Sequence, residues 1–101
     1  LRVNWTDKAK NDLNDIFIYY SEIASKNVAK SITKNIVSRS LDLKSNPYLG
    51  MIEEYLLHRT KNYRSIIDGN YKIIYFVEND SIYIATVFDC RQNPIKLSNI
   101  N

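Results

Sequence analysis

Six basic side chains fall in the second half of the chain, at Arg59, Lys61, Arg64, Lys72, Arg91 and Lys96, interspersed with Asp68 and Asp89. Clustered guanidinium and ammonium groups suit a phosphate-bearing partner. Tyr55, Tyr63 and Tyr71 lie among them and could stack on bases. The plainer reading makes these tyrosines sheet and core residues and the cations ordinary surface charge. Arg64 and Lys72 flank one turn signal and Arg91 follows the next strand, so the three could converge on one edge. Histidine is the side chain best suited to move a proton near neutral pH, and His58, beside Arg59, is the only one. One histidine and one cysteine cannot build a zinc cluster. Cys90 has no histidine after it, which makes it a poor nucleophile candidate and a better packed thiol. It also has no partner for an internal disulfide, which suits a reducing compartment.

The elements that must carry these groups are legible. Residues 63–94 read as YRSII-DG-NYKIIYFVE-ND-SIYIATVF-DCRQNP. Asp68-Gly69 and Asn79-Asp80 supply the positive φ angles of tight hairpin loops, so three strands form an antiparallel meander. On the central strand Tyr71, Ile73, Tyr75 and Val77 share one face, and Lys72, Ile74, Phe76 and Glu78 the other. Strict alternation puts Ile82, Ile84, Thr86 and Phe88 together on the last strand. Both faces are largely apolar, so one must cover helices and the other is a candidate surface for a partner. The alternative cover for that second face is the segment 48–62.

Upstream, Leu1, Val3 and Trp5 alternate with polar residues as a short strand. Thr6 or Asp7 can cap a helix over about residues 7–24, whose apolar face carries Ala9, Leu13, Ile16, Phe17, Tyr20 and Ile23. Ser25 caps a second helix over about 26–45, ended by Asn46-Pro47. With one or two residues between them, the helices form an antiparallel hairpin that the sheet must cover. Residues 48–62 read as a loop with an extended piece near Tyr55 to Leu57. The fold class is therefore α+β, β-α-α-β-β-β, in a single domain over 1–101.

A net charge of +3 and a pI near 9.0 are mildly basic, and 45% hydrophobic with 25% charged residues is an ordinary globular balance. No apolar run reaches the ~20 residues of a membrane span. The start LRVNWTDKAK lacks an apolar leader core, and Leu1 in place of Met suggests that a few residues precede it. A cytoplasmic protein with no cofactor and no metal is the expectation.

Taken in order, VNWTDKAKNDLNDI, NPYLG, NYRSIIDGNYKIIYFV and FDCRQNP resemble the RelE/ParE superfamily of bacterial toxins from type II toxin–antitoxin modules. The resemblance covers nearly the whole chain. It is most specific at Tyr71 to Tyr75 and at Arg91 to Pro94. It implies a toxin held inactive by a cognate antitoxin, whose tail wraps it as a helix and extended segments. Members with RelE-like activity cut mRNA in the ribosomal A site; ParE-like members poison DNA gyrase and cut nothing. For the RelE-like activity the resemblance points to Arg64, Lys72 and Arg91 on the phosphate, with Glu53, Glu54 or His58 as the base. Lys72 stands where such enzymes usually have arginine. Asp89-Cys90-Arg91-Gln92 stands where several have a histidine or tyrosine acid, and that departure argues against nuclease chemistry. Helices of about 18 and 20 residues and the mild charge favour the ParE-like reading. The residues expected to meet a partner are Arg59, Lys61, Tyr63, Tyr71, Ile74, Phe76, Tyr83 and Arg91. A non-toxic peptide-binding module on the same fold is a further alternative.

Overall fold

Thr6 makes the first corner of the molecule, whose computed structural model describes residues 1–100. It follows strand β1 (Arg2–Trp5) and caps helix α1 (Asp7–Ile23), its hydroxyl accepting from the Ala9 backbone N–H. That hydroxyl also donates toward the carbonyls of Ile84 and Ala85, 3.0 Å from each, so one side chain starts the helix and fastens it to the last strand. Ser25 repeats the capping device for α2 (Lys26–Leu41), accepting from the Val28 N–H. Only Ala24 and Ser25 separate the helices, and they pack as an antiparallel hairpin. α1 matches the sequence pattern to within a residue, while α2 stops at Leu41, short of the expected end, because the chain tightens to a 3-10 turn at Asp42–Lys44. Helix length therefore gives no ground for choosing between the two toxin activities.

Strands β2 (Met51–Ile52), β3 (Arg64–Asp68), β4 (Tyr71–Glu78) and β5 (Ser81–Asp89) complete a five-stranded sheet of order β1-β5-β4-β3-β2. β1 runs parallel to β5; the other neighbours are antiparallel. The meander is thus the centre of the sheet. The extended piece of the 48–62 segment lies at Met51–Ile52, earlier than its composition suggests. Near Tyr55 the Glu53 carboxylate accepts from the Tyr55 N–H and turns the chain into a 3-10 helix, Glu54–Leu56. The β4–β5 loop takes positive φ at both Asn79 (52°) and Asp80 (59°), a type I′ turn. In the β3–β4 hairpin Asp68 still pairs with Tyr71, so the loop is Gly69-Asn70, with φ +57° at Gly69.

A bulge redistributes the faces of β5. Ile74 pairs with Thr86 but Tyr75 pairs with Ile84, leaving Ala85 as an extra residue. Beyond it the alternation shifts, so Val87 joins Ile82 and Ile84 against the helices while Phe88 goes to the opposite face. The helix-side core gathers Ile16, Ile36, Leu43, Ile66, Ile73 and Tyr75. Tyr75 is fully buried, yet its hydroxyl donates to the Pro47 carbonyl at 2.8 Å and accepts from the Gly50 N–H at 2.9 Å. Gly50 must be glycine: a Cβ there would lie 2.7 Å from the Ser65 carbonyl oxygen and 2.8 Å from the Tyr75 ring.

The second face of the sheet is not open. Ile74, Ala85 and Tyr63 are covered by Leu56 and by Leu97 and Ile100, in or beside the 3-10 helices Glu54–Leu56 and Pro94–Asn99. Burying each large apolar side chain contributes roughly 1.5–3 kcal/mol, which is reason enough for the chain to cover this face itself. The expectation of a free apolar face for a partner is corrected accordingly. Among the described residues, no helix is long and apolar enough to cross a membrane.

Candidate functional site

Lys72 and Glu53 form the most enclosed ion pair in the molecule among the described residues. The Glu53 side chain is 3% exposed and Lys72 23%, with Nζ 2.6 Å from the carboxylate. β4 directs Lys72 to the face opposite the helices, and the backbone N–H of Glu53, donating to the Tyr63 carbonyl, holds the carboxylate under it. Lys72 also lies 5.8 Å from the centre of the Tyr55 ring. Its charge is thus spent inside the fold.

Arg64 leaves the sheet on the other side. It pairs with Tyr75 on the helix face, whereas Lys72 pairs with Ile67 on the opposite one. Three residues of strand, about 10 Å, add to that separation. Arg64 donates to the Gly50 carbonyl at 2.7 Å and rests on the Tyr48 ring. Two more of the candidate cations are also engaged, while Lys96 is exposed. Arg59 donates to the Ser98 carbonyl at 3.2 Å and to that of Ile100, tying down the tail. Lys61 pairs with Glu78 and covers the Phe76 ring. His58 and Glu54 are exposed, and the structure brings neither into a cluster with Lys72.

Arg91 grips Asp89 with a two-pronged fork, Nε at 2.9 Å and Nη2 at 2.8 Å. Those hydrogen bonds hold the Asp89 carboxyl below its ordinary value, and the same fork raises the Arg91 pKa. The pair stands at a cleft of about 430 Å³ between α1 and the end of β5, whose other walls include Asp12, Asp15, Tyr19 and Tyr71. Burial pushes the Tyr71 phenol well up, helped by its hydrogen bond to Tyr20, so it stays protonated. Asp12 is committed to structure, accepting from Thr86 Oγ1, from the Val87 N–H at 3.0 Å and from Lys8 at 2.5 Å. The nearby Cys90 is exposed, yet desolvation still raises its thiol pKa. Three carboxylates against one already-paired arginine make this a poor seat for RNA phosphates.

The sequence matches the family described as ParE toxin of type II toxin-antitoxin system, parDE, over residues 3–94. The chain belongs to the ParE toxin family. Among solved structures, a chain of the "Chromosomal ParDE TA system from P. aeruginosa" has a similar fold, with a TM-score of 0.73 and 19% identity. The match covers 88% of this chain and 95% of that one. No curated protein sequence matches the chain.

On this ParE-family toxin the sequence-derived contact set divides. Tyr63, Tyr71 and Ile74 are buried, Tyr71 in the wall of the cleft beside Arg91. Phe76 and Tyr83 stack 5.2 Å apart beside Lys61 at one end of the sheet and remain partly accessible; Arg91 is half-exposed at the other end. Sequence reading missed the role of Asp12. Its helical position reads as solvent-facing, and only the parallel β1–β5 pairing shows that β1 stops at Trp5 and leaves the edge of β5 for Asp12 to close.

Proposed function

We propose that this toxin inhibits DNA gyrase by protein contact, performs no catalysis of its own, and is neutralised by a cognate antitoxin. The observation that favours contact over cleavage is that the cations RNA cleavage would draw on are already engaged within the fold, two by carboxylates and Arg64 by a neutral carbonyl. Lys72 is bound to Glu53, Arg91 to Asp89 and Arg64 to the Gly50 carbonyl. Lys72 and Arg64 also leave opposite faces of the sheet. Phosphoryl chemistry depends on preorganised positive charge aimed at one phosphate, and that requirement is unmet. The antitoxin reading draws on family membership and on the P. aeruginosa structure being of a toxin–antitoxin system. A suitable docking edge is β2, a two-residue strand whose outer side has no strand neighbour among the described residues. Met51 is 80% exposed there, with Ile52 and Leu57 beside it. Arg59, Lys61, Phe76, Tyr83 and Arg91 are the accessible remainder of the contact set.

The test is a pair of assays on the purified chain. One measures gyrase supercoiling; the other maps mRNA 5′ ends in a translating ribosome system. Loss of supercoiling with intact mRNA is the expected result. Codon-phased cuts with normal supercoiling would overturn the proposal in favour of a ribosome-dependent endonuclease. Normal behaviour in both, with no growth arrest on expression, would leave a non-toxic binding module.

A further inference from the structure

We infer that a lysine ladder on α2 seats the phosphate backbone of duplex DNA, the DNA on which the proposed target works. The contact deepens the gyrase reading above and rests on it for the place where toxin and duplex meet. The sixteen residues of α2, KNVAKSITKNIVSRSL, contain three lysines and one arginine and no acid. Lys26, Lys30 and Lys34 are exposed and fall at i, i+4 and i+8, where like charges destabilise a helix. Lys26 also sits in the first turn, where the helix dipole disfavours a cation. Lys10 stands exposed on α1 over a hollow that it shares with Thr33 of α2, and so adds a fourth ammonium group to this side. Among the described residues none of the four is ion-paired, whereas α1 pairs its Lys8 with Asp12 four residues on. No carboxylate lines that hollow or the adjoining one beside Lys30 and Lys34. The folded chain gains nothing from such a set of charges, but a polyanion would.

Three features choose duplex DNA among polyanions. The exposed residues that the helical turn places beside the ladder are Asn27, Ser31 and Ser38, short side chains that hydrogen-bond phosphate oxygens. α2 carries no aromatic residue, so this face lacks the stacking platform on which single-stranded nucleic acid is held. From Lys26 to Lys34 the ladder follows about 12 Å of helix axis, a length along which one strand of a duplex presents about four phosphates. The mode of contact follows from width. Two packed helices measure roughly 20 Å across, too wide for a major groove of about 12 Å. The lysines therefore meet the backbone, and the contact carries no sequence preference.

A fluorescein-labelled duplex of about 20 base pairs tests this by anisotropy with the full chain and no gyrase present. Affinity should be equal for two unrelated sequences and should fall about 100-fold between about 50 and 200 mM salt, as four neutralised phosphates require. Lys30→Gln/Lys34→Gln should cut that fall to about tenfold. Lys44→Gln/Lys96→Gln removes the same charge from exposed positions off the ladder and should leave the fall near that of wild type. No binding at about 50 mM salt, equal effects of the two double variants, or tighter binding of single-stranded RNA or polyglutamate than of the duplex would each overturn the inference. With gyrase added, Lys30→Gln/Lys34→Gln should inhibit supercoiling about threefold or more less potently, while its capture by gyrase without DNA stays unchanged. Unchanged potency would refute the seating of the ladder on the enzyme's DNA. The anisotropy assay contains no gyrase, so a duplex contact beside intact supercoiling would sink the target reading alone.

Discussion

Replacing Lys72 with methionine should cost the fold far more than replacing Glu53 with glutamine, although the two residues form one pair. The Glu53 carboxylate is 3% exposed and has two partners, Lys72 Nζ at 2.6 Å and the Tyr55 N–H at 3.4 Å. Lys72→Met leaves a buried charge with only the longer contact. Removing one member of a buried pair costs about 3–5 kcal/mol. Lys72 is 23% exposed, so water reaches the site, and we take about 2–3 kcal/mol as the expected cost. Glu53→Gln instead leaves an ammonium with a path to solvent, which should cost about 1 kcal/mol or less. The double variant should resemble Glu53→Gln, giving a coupling energy of about 2 kcal/mol. Urea unfolding followed by Trp5 fluorescence would read the larger loss as a midpoint shift of about 1–2 M. Lys72→Met within about 0.5 kcal/mol of wild type, or equal costs for both single variants, would refute the reasoning. Growth arrest on induction should persist in the double variant, because the proposed function gives Lys72 no chemistry.

Other consequences can be checked alongside. Tyr75→Phe keeps the ring but strips hydrogen bonds from the Gly50 N–H and the Pro47 carbonyl, and should cost about 2–4 kcal/mol in the same unfolding assay; a neutral outcome would mean that water replaces the hydroxyl. Asp12→Ala should cost about 1–3 kcal/mol and speed amide exchange at Val87, while unchanged exchange there would show that β5 needs no closing side chain. The Asp89 carboxyl sits below its ordinary 3.8, so its pairing with Arg91 stabilises the fold above that value and is lost as pH falls through the lower folded one. Arg91 is half-exposed, so Asp89→Asn should cost under about 1 kcal/mol at neutral pH, with the difference from wild type shrinking as pH falls below the ordinary carboxylate range. Cys90, its thiol raised by desolvation, should be alkylated more slowly at mildly alkaline pH than in the urea-unfolded chain.

Local rules carried far in this sequence. Asn79-Asp80 and Gly69 place both hairpins, and Thr6 and Ser25 place both helix starts. Features that join distant segments were out of reach of such rules. The bulge at Ala85 depends on how β4 and β5 mate, and it moves Val87 and Phe88 to faces that strict alternation denies them. The tail that covers Ile74 is held by Arg59 through main-chain carbonyls, a bond with no sequence signature. For the site, residue types suggested a cation cluster, but pairing partners decide whether a cation is free. Glu53 lies nineteen positions before Lys72, and no spacing rule links them. The lysine ladder of α2, by contrast, is written at helical spacing in KNVAKSITK.

The pairing of β1 with β5 has a consequence for how the toxin is made. Arg2 finds its strand neighbour at Ser81 and Trp5 finds Ile84, so this segment is completed only by one synthesised much later. At about 5–20 residues per second, Arg2 waits roughly 4–16 s for its neighbour. Thr6 cannot reach Ile84 and Ala85, nor Asp12 close onto Val87, before then. The nascent chain therefore spends its synthesis without a finished sheet, and the cell that makes it has those seconds before an assembled toxin exists.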